Sequence, residues 1–390
     1  MAVERTPHNA VRLSESAKSF LMLTFMPIMN KSLRHQYAPS EIDEVMRVLQ
    51  EFPIGAVSVT ERYGHGIIND TYLVRVAPHG GVLDVKQCFI AQRLHPIFQP
   101  PVLEDMAAVT EHLAGKGITT PHLVRSRTGA FGVMRGERCW RLMTYIPGVS
   151  YDKGLEGAQL EDAAAFLGTF HNALQDIEHT FVHLIPGFHD TPRIMEKLRA
   201  TAKRSQKSPH AAILTPLAER ILRDWAVVAA TLPVLPRRVI HGDLKINNVR
   251  FAEDGRRAAA LLDLDTVGRN TILVDLGDAI RSWCNPADED DGKDAHLDEK
   301  LFGYFICGYM RTAGFLTREE RESIPAGVEA IVLELAARFI TDAFEEKYFK
   351  LDNARYPNLY EQNLTKARAQ IALLDDARRK HAALSAAIAA

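Results

Sequence analysis

The 390-residue chain has no basic excess, no paired cysteines, no apolar run of membrane length and no P-loop. Each absence removes a class of function. Lysine and arginine number 47 against 49 aspartates and glutamates, a net charge of −2. Nothing in that balance offers an electrostatic footprint for nucleic acid or for a membrane surface. The four cysteines, Cys88, Cys139, Cys284 and Cys307, are scattered without a Cys-x-x-Cys pair. This argues against a zinc site or a disulfide framework and suits a reducing cytoplasm. The stretch Phe20–Met29 is apolar but falls far short of the roughly 20 residues that span a bilayer. Acidic residues precede it and no small-x-small cleavage site follows, so it reads as part of an N-terminal extension rather than a signal peptide. No Gly-x-x-x-x-Gly-Lys-Ser/Thr is present, which disfavours a P-loop enzyme.

What is present is ordinary globular composition, 46% apolar and 25% charged, in a chain long enough for two lobes. Residues 1–38 show no strong periodicity and read as an extension. A helical pattern runs from Ser40, a plausible N-cap, to Phe52. Strand signals then dominate: Val57–Tyr63, Thr71–Val76 and Phe89–Leu94 are β-branched or alternating. Gly64-His-Gly66 and His79-Gly-Gly81 supply turns between them. The spacing predicts a helix over 101–115 and strands at 131–134 and 139–146, ended by Pro147-Gly148. Beyond that point helices prevail. Leu160, Ala164, Leu167, Phe170, Leu174 and Ile177 recur at helical spacing, and Thr215-Pro216 reads as an N-cap with proline at the first helical position. Two more helices are expected at 325–349 and 359–388. The class is α+β in two lobes, a strand-rich 39–146 and a helix-rich 147–390.

The chemistry concentrates in Val239-Ile-His-Gly-Asp-Leu-Lys-Ile-Asn-Asn-Val-Arg-Phe251. A short apolar strand enters His241-Gly242-Asp243, a polar loop carries Lys245, Asn247 and Asn248, and a strand resumes at Val249. Ala258–Leu262 is a buried strand delivering Asp263-Leu-Asp265-Thr266. A carboxylate, an amide and a second carboxylate thus leave adjacent strand ends, as magnesium-dependent phosphoryl transfer requires. One carboxylate orients the attacking hydroxyl and accepts its proton, and hard oxygens hold the metal.

His-x-Asp-(x)4-Asn followed by an Asp on the next strand resembles the aminoglycoside phosphotransferase and choline kinase family, relatives of the protein kinases. The resemblance implies a two-lobed protein-kinase-like fold, with an N-terminal antiparallel sheet lobe and a mostly helical C-terminal lobe. It implies Asp243 as the catalytic base, Asn248 and Asp263 as Mg²⁺ ligands and ATP as the donor. Further stretches are similar to the N-acetylhexosamine 1-kinases and other anomeric sugar kinases: Tyr63–Val74, Phe89–Leu94, Leu262-Asp-Leu-Asp-Thr266, Arg338-Phe-Ile-Thr-Asp342 and Tyr348-Phe-Lys350. Together they cover roughly residues 40 to 375. By position they imply Asn69, Asp243, Arg338 and Tyr348 as sugar contacts, Thr266 near the metal and phosphate, and the backbone of Thr144-Tyr145-Ile146 as the segment that meets adenine.

Two departures stand out. The hairpin reads Gly-His-Gly-Ile-Ile-Asn-Asp, which displaces His65 from its expected place beside the Ile-Asn pair. The third strand carries Gln92 and Arg93 where the family has a phosphate-binding lysine. Arg93 is either the substitute charge or a surface residue on an edge strand, and Glu104 is either its partner or a solvated helix residue. His171 reads as a core histidine, Asp275 and Asp278 as braces of the catalytic loop, and Asp288-Glu-Asp-Asp291 as a solvated loop. The expected protein is an ATP- and Mg²⁺-dependent kinase of an N-acetylhexosamine, cytoplasmic, monomeric or homodimeric, without nucleic-acid or membrane partners. The alternatives are a kinase of homoserine, choline, ethanolamine, an aminoglycoside or another sugar, and a nucleotide-binding pseudokinase.

Overall fold

The computed structural model describes residues 39–64, 68–77, 87–183 and 185–389. The extension 1–38, His65, Gly66 and the turn at His79–Gly81 lie outside the described residues. The chain divides into two compact units, Met1–Val45 and Met46–Ala390. Of the first, only residues 39–45, the opening of helix α1 (Pro39–Leu49), are described.

A five-stranded antiparallel sheet follows, built from β1 (Val57–Arg62), β2 (Asp70–Val76), β3 (Cys88–Arg93), β4 (Gly132–Arg135) and β5 (Arg138–Thr144), in the order β1-β2-β3-β5-β4. Helix α2 (Val102–Gly115) lies between β3 and β4 in sequence and packs on one sheet face. The β-branched, alternating stretches read from the sequence form this sheet, because one apolar face meets the helix. Strand β5 stops at Thr144, two residues short of the expected end. Tyr145 and Ile146 leave the sheet as a linker to the second lobe.

That lobe holds α3 (Gly157–Ala173), α4 (Thr191–Arg204), α5 (Ala211–Thr231), β6 (Arg237–Ile240), β7 (Val249–Phe251), β8 (Ala258–Leu261), β9 (Gly268–Thr271), α6 (Ile272–Trp283), α7 (Glu299–Thr312), α8 (Arg318–Glu322), α9 (Ile324–Glu345), α10 (Leu359–Arg379) and α11 (His381–Ala389). Two short antiparallel ribbons, β6–β9 and β7–β8, carry the polar loops between them. The core is continuous through Leu160, Leu167 and Phe170 of α3, Leu276 and Ile280 of α6, Phe302 and Phe305 of α7, and Val328, Val332 and Ile340 of α9. Burying each large side chain contributes about 1.5–3 kcal/mol, and this holds the ribbons' loops at the lobe surface.

Two expectations about helices are corrected. Thr215-Pro216 does not start a helix: α5 begins at Ala211 and Pro216 lies inside it. Leu214, Ala218 and Ile221 are fully buried, so packing outweighs the one backbone hydrogen bond that proline forgoes. The pattern at 359–388 forms two helices that break at Lys380, whose N–H bonds Asp376 O.

Candidate active site

Strand β6 ends at Ile240, and the next three residues turn because Gly242 takes a positive φ of 85°. A side chain there would meet Thr266 O at 2.7 Å, so only glycine permits this close approach of the two loops. The turn is braced from below. Asp275 of α6, fully buried, accepts from His241 N at 2.6 Å and Gly242 N at 2.8 Å. His171 supports Asp275 at 2.9 Å and lies 2.9 Å from the Tyr309 hydroxyl, a satisfied core histidine. Asp278 pairs instead with Arg281 on its own helix, at 2.7–2.8 Å, and among its hydrogen bonds none reaches the catalytic loop.

Asp243 leaves this turn with its carboxylate 3.0 Å from Lys245 Nζ. Burial works to raise its pKa, yet the Lys245 ammonium holds it below the usual carboxylate value. Asn248 Nδ2 donates to Asp243 O at 2.8 Å, which leaves the amide oxygen as its acceptor end. Leu262 N donates to Asn248 O at 2.8 Å, and the next residue is Asp263. Its backbone is left-handed, φ 62° and ψ 56°, an uncommon state for a residue with a Cβ. Asp263 is exposed to water, yet the surrounding protein partly desolvates its carboxyl. That desolvation, with the Asp265 and Asp243 carboxylates nearby, pushes it up to about 7.

A carboxyl crowded by like charges is a place where a cation relieves repulsion. Asp263 and the Asn248 amide oxygen are hard donors suited to magnesium. Among the described residues no group of three or more His, Cys, Asp or Glu side chains could hold a metal ion unaided. Two protein oxygens completed by phosphate oxygens and water is the pattern magnesium uses at nucleotides.

Other sequence candidates fall in distinct places. Thr266 Oγ1 donates to His241 O at 2.8 Å, tying the two loops together. Asn69 is buried, with Nδ2 on Asp265 Oδ2 at 2.7 Å and Oδ1 accepting from His95 N at 2.9 Å. Arg93 holds Asp70 through Nε at 2.9 Å and Nη2 at 2.8 Å and lies over the Trp140 ring. Glu104 is exposed, and the pairing of Arg93 with Glu104 does not form. Neighbours along a strand face opposite ways, so Arg93 looks away from the face of Gln92. On that face, directly opposite Gln92, stands Arg141, which bonds Asp265.

The linker is held from both lobes. Thr144 N donates to His122 O at 2.9 Å and Tyr145 N to Cys88 O at 3.2 Å. Arg250 of β7 donates through Nε to Ile146 O at 3.0 Å and through Nη2 to the Tyr63 and Tyr145 hydroxyls, at 3.1 and 2.9 Å. Burial and the Tyr63 hydroxyl push Tyr145 up to about 12, so it stays protonated.

Arg338 lies on α9 with Nη2 3.1 Å from the Tyr348 hydroxyl. Buried Asp342 accepts from the N–H groups of Lys347, Tyr348 and Phe349 at 2.7–3.0 Å, and this fixes the turn that presents Tyr348. One turn before Arg338, Glu334 bonds His189 Nδ1 at 2.8 Å, and His189 Nε2 donates to Gly242 O at 2.8 Å. Helix α9 is thereby fastened to the loop that carries Asp243. His189, Glu334, Lys245 and Arg141 were given no role from sequence. A basic residue between Trp140 and Leu142 in an apolar strand was the available signal for Arg141; none existed for His189.

The acidic loop corrects another expectation. Asp288 pairs with Lys153 at 2.7 Å, Glu289 with Lys366 at 3.2 Å and Arg281 at 3.4 Å, and Asp290 with Arg355 at 2.8 Å and the Tyr356 hydroxyl. Burial opposes the Glu289 charge, but Arg281, Lys366 and Lys245 hold its carboxyl down to about 2. Asp290 is itself buried, so the run is a folded ion-pair network rather than a solvated loop. A cavity of about 630 Å³ opens beside β9, with Asp265, Thr266, His189, Trp225 and Arg237 in its wall. Asp243, Asn248 and Asp263 do not line it.

A two-lobed α+β fold with an acidic and amide-bearing cleft of this kind defines a protein-kinase-like phosphotransferase. Residues 59–306 match the model of the phosphotransferase enzyme family, APH, and the chain belongs to that family. It is a small-molecule kinase. Homoserine kinase of Granulibacter bethesdensis is 25% identical over 294 residues, 75% of this chain and 84% of that one. Homoserine kinase of Methylobacillus flagellatus is 25% identical over 328 residues, 83% and 92% of the two chains. Among solved structures, an aminoglycoside phosphotransferase from Alicyclobacillus acidocaldarius has a TM-score of 0.57 at 16% identity, covering 90% of this chain and 98% of that one. Plasmodium vivax ethanolamine kinase has a TM-score of 0.58 at 13% identity, covering 94% and 97%. These likenesses bear on the fold. No helix among the described residues is long and apolar enough to cross a membrane.

Proposed function

We propose that the protein transfers the γ-phosphoryl group of ATP to the anomeric hydroxyl of an N-acetylhexosamine, in the presence of Mg²⁺. Asp243 orients the acceptor hydroxyl and takes its proton as the oxygen bonds the γ-phosphorus and the bond to ADP breaks. Its lowered pKa keeps it ionised, and a weak base suffices where the transition state is loose. Lys245, beside it, supplies fixed positive charge. Asn248 and Asp263 hold the magnesium ion, which when bound neutralises charge on the phosphates. Thr144-Tyr145-Ile146 provides the backbone edge for adenine.

The observation that carries the acceptor class is the pairing of Tyr348 with Arg338, which lies on a helix fastened to the Asp243 turn through His189 and Glu334. A guanidinium and a phenol suit neutral hydroxyl and amide oxygens and disfavour a cationic acceptor. Of the carboxylates in the 288–291 loop that would attract such a cation, Asp288, Glu289 and Asp290 are already paired and Asp291 accepts from the Lys293 and Asp294 N–H groups. A second reading has its own support: the curated relatives cited above are called homoserine kinases, and Arg338 also matches a carboxylate. An ADP-release assay over N-acetylglucosamine, N-acetylgalactosamine, homoserine, choline and an aminoglycoside separates them. Turnover confined to homoserine would replace the first reading with the second, and turnover with the hexosamines alone would support the first. In either case Arg338→Ala is expected to raise the acceptor KM strongly and leave that of ATP nearly unchanged.

A further inference from the structure

The lysine missing from β3 has a counterpart on β5 that acts differently. Arg141, in the middle of β5, and its partner Asp265 are each 1% exposed. Both Nη atoms of Arg141 donate to the Asp265 carboxylate, Nη2 at 2.9 Å. Nε and Nη2 also donate to Gln92 Oε1 at 2.9 and 2.6 Å, and Nη1 lies 3.4 Å from Met106 Sδ of α2. Asn69 closes the arrangement, bonding Asp265 on one side and His95 N on the other. Strand β5 and the residue ahead of β2 thus meet one carboxylate of the other lobe, two residues after Asp263, while β3 and helix α2 hold the Arg141 side of the pair.

We propose that Arg141 is a positioning residue for the metal-binding loop: by fixing Asp265 it holds the left-handed Asp263 backbone in register with the nucleotide-binding sheet. The inference rests on the reading of Asp263 as the metal carboxylate. Nearly free of solvent and with every donor group engaged, Arg141 has nothing left for a phosphate, so it acts through Asp265. Stability alone is a poor reason for such a pair, because desolvation of two buried charges roughly cancels their attraction and apolar replacements are often neutral. A rigid planar fork that bridges Gln92 and a carboxylate, by contrast, specifies geometry. The left-handed conformation at Asp263 persists only where surrounding contacts determine it, and the Asp265 anchor is two residues away. Arg93, the other basic residue of this region, faces the opposite side of the sheet and holds Asp70.

The test measures binding rather than turnover. Titration calorimetry of ADP with Mg²⁺, and of ADP in EDTA, is run beside thermal melts for Arg141→Met, Arg141→Lys, the double variant Arg141→Met/Asp265→Asn, and Asp263→Ala. Arg141→Met is expected to weaken Mg²⁺·ADP binding by about 10- to 100-fold, as loss of a metal ligand's supporting partner does, with ADP affinity in EDTA near wild type. Arg141→Lys should fall between. The double variant, which buries no unpaired charge, should regain most of the melting temperature without regaining the metal-dependent affinity. It alone decides the matter if the single variants do not fold. Recovery of Mg²⁺·ADP binding together with stability would overturn the proposal, as would equal weakening with and without metal. Should Asp263→Ala keep wild-type Mg²⁺·ADP affinity, the metal-ligand reading itself falls. Should it lose that affinity while the Arg141 variants keep theirs, only the role of Arg141 falls.

Discussion

Asp243 and Asp263 face the same cleft yet are driven in opposite directions. Lys245 at 3.0 Å keeps the first ionised, while like charges and desolvation raise the second to about 7. Asp243→Asn keeps the shape and removes the charge, so kcat is expected to fall by about 10²–10⁴ while calorimetry still detects nucleotide. Near-normal turnover would remove Asp243 from the reaction. His189 offers a pH signature. Burial lowers its pKa, but Glu334 and Gly242 O more than reverse this, so it is raised above 6.5. Glu334, opposed by its own burial but paired with His189, is lowered below 4.5. A raised histidine stabilises fully below its unfolded pKa and loses that contribution as pH rises through the folded value. A depressed carboxylate loses its contribution as pH falls. The pair therefore stabilises most between 4.5 and 6.5. His189→Asn, which tolerates the left-handed backbone at φ 49°, should lower the melting temperature most in that window and progressively less at alkaline pH. A gap that does not vary with pH would refute the linkage.

At the level of elements, what the sequence showed best was whatever depends on local pattern. The strands expected at Val57–Tyr63, Thr71–Val76 and Phe89–Leu94 form within a residue of those bounds because β-branched alternation matches the pleat, and the nearness of Asp243, Asn248 and Asp263 was legible because one loop and the next strand fix their spacing. Residues whose roles depend on distant partners were not legible. Arg93 and Arg141 each follow a large or polar strand residue, and only the register of β3 against β5 tells which one meets Asp265. Thr215-Pro216 has the local form of a helix start, which buried neighbours overrule. Helix pairing yields a further expectation. A Cβ on Gly308 of α7 would lie 2.0 Å from Glu161 O of α3, backbone that cannot yield as a side chain does. Gly308→Ala should cost about 1–3 kcal/mol, read as a lower melting temperature with both substrate KM values preserved. An unchanged melt would mean that the helices part without cost.

Over the whole molecule, the sheet lobe and the helical lobe meet along the Tyr145-Ile146 linker, where Arg250 donates to Ile146 O at 3.0 Å and to the Tyr145 hydroxyl at 2.9 Å, and at Asp265. A nucleotide bridging both lobes binds only the folded chain, so Mg²⁺·ADP at a hundred times its Kd should add about 2.7 kcal/mol of stability. EDTA should remove most of the resulting rise in melting temperature, and a rise indifferent to chelator would argue against a metal-dependent nucleotide site. The Arg141–Asp265 pair has a consequence for the history of the chain. Loss of either partner alone strands a charge in the interior, the kind of single step that costs most, so neither position can drift freely. Among descendants of a common ancestor the two should be retained or exchanged together. A lineage with an apolar residue in place of Arg141 should also have lost the carboxylate at 265, and would have had to find another anchor for the segment that follows Leu262.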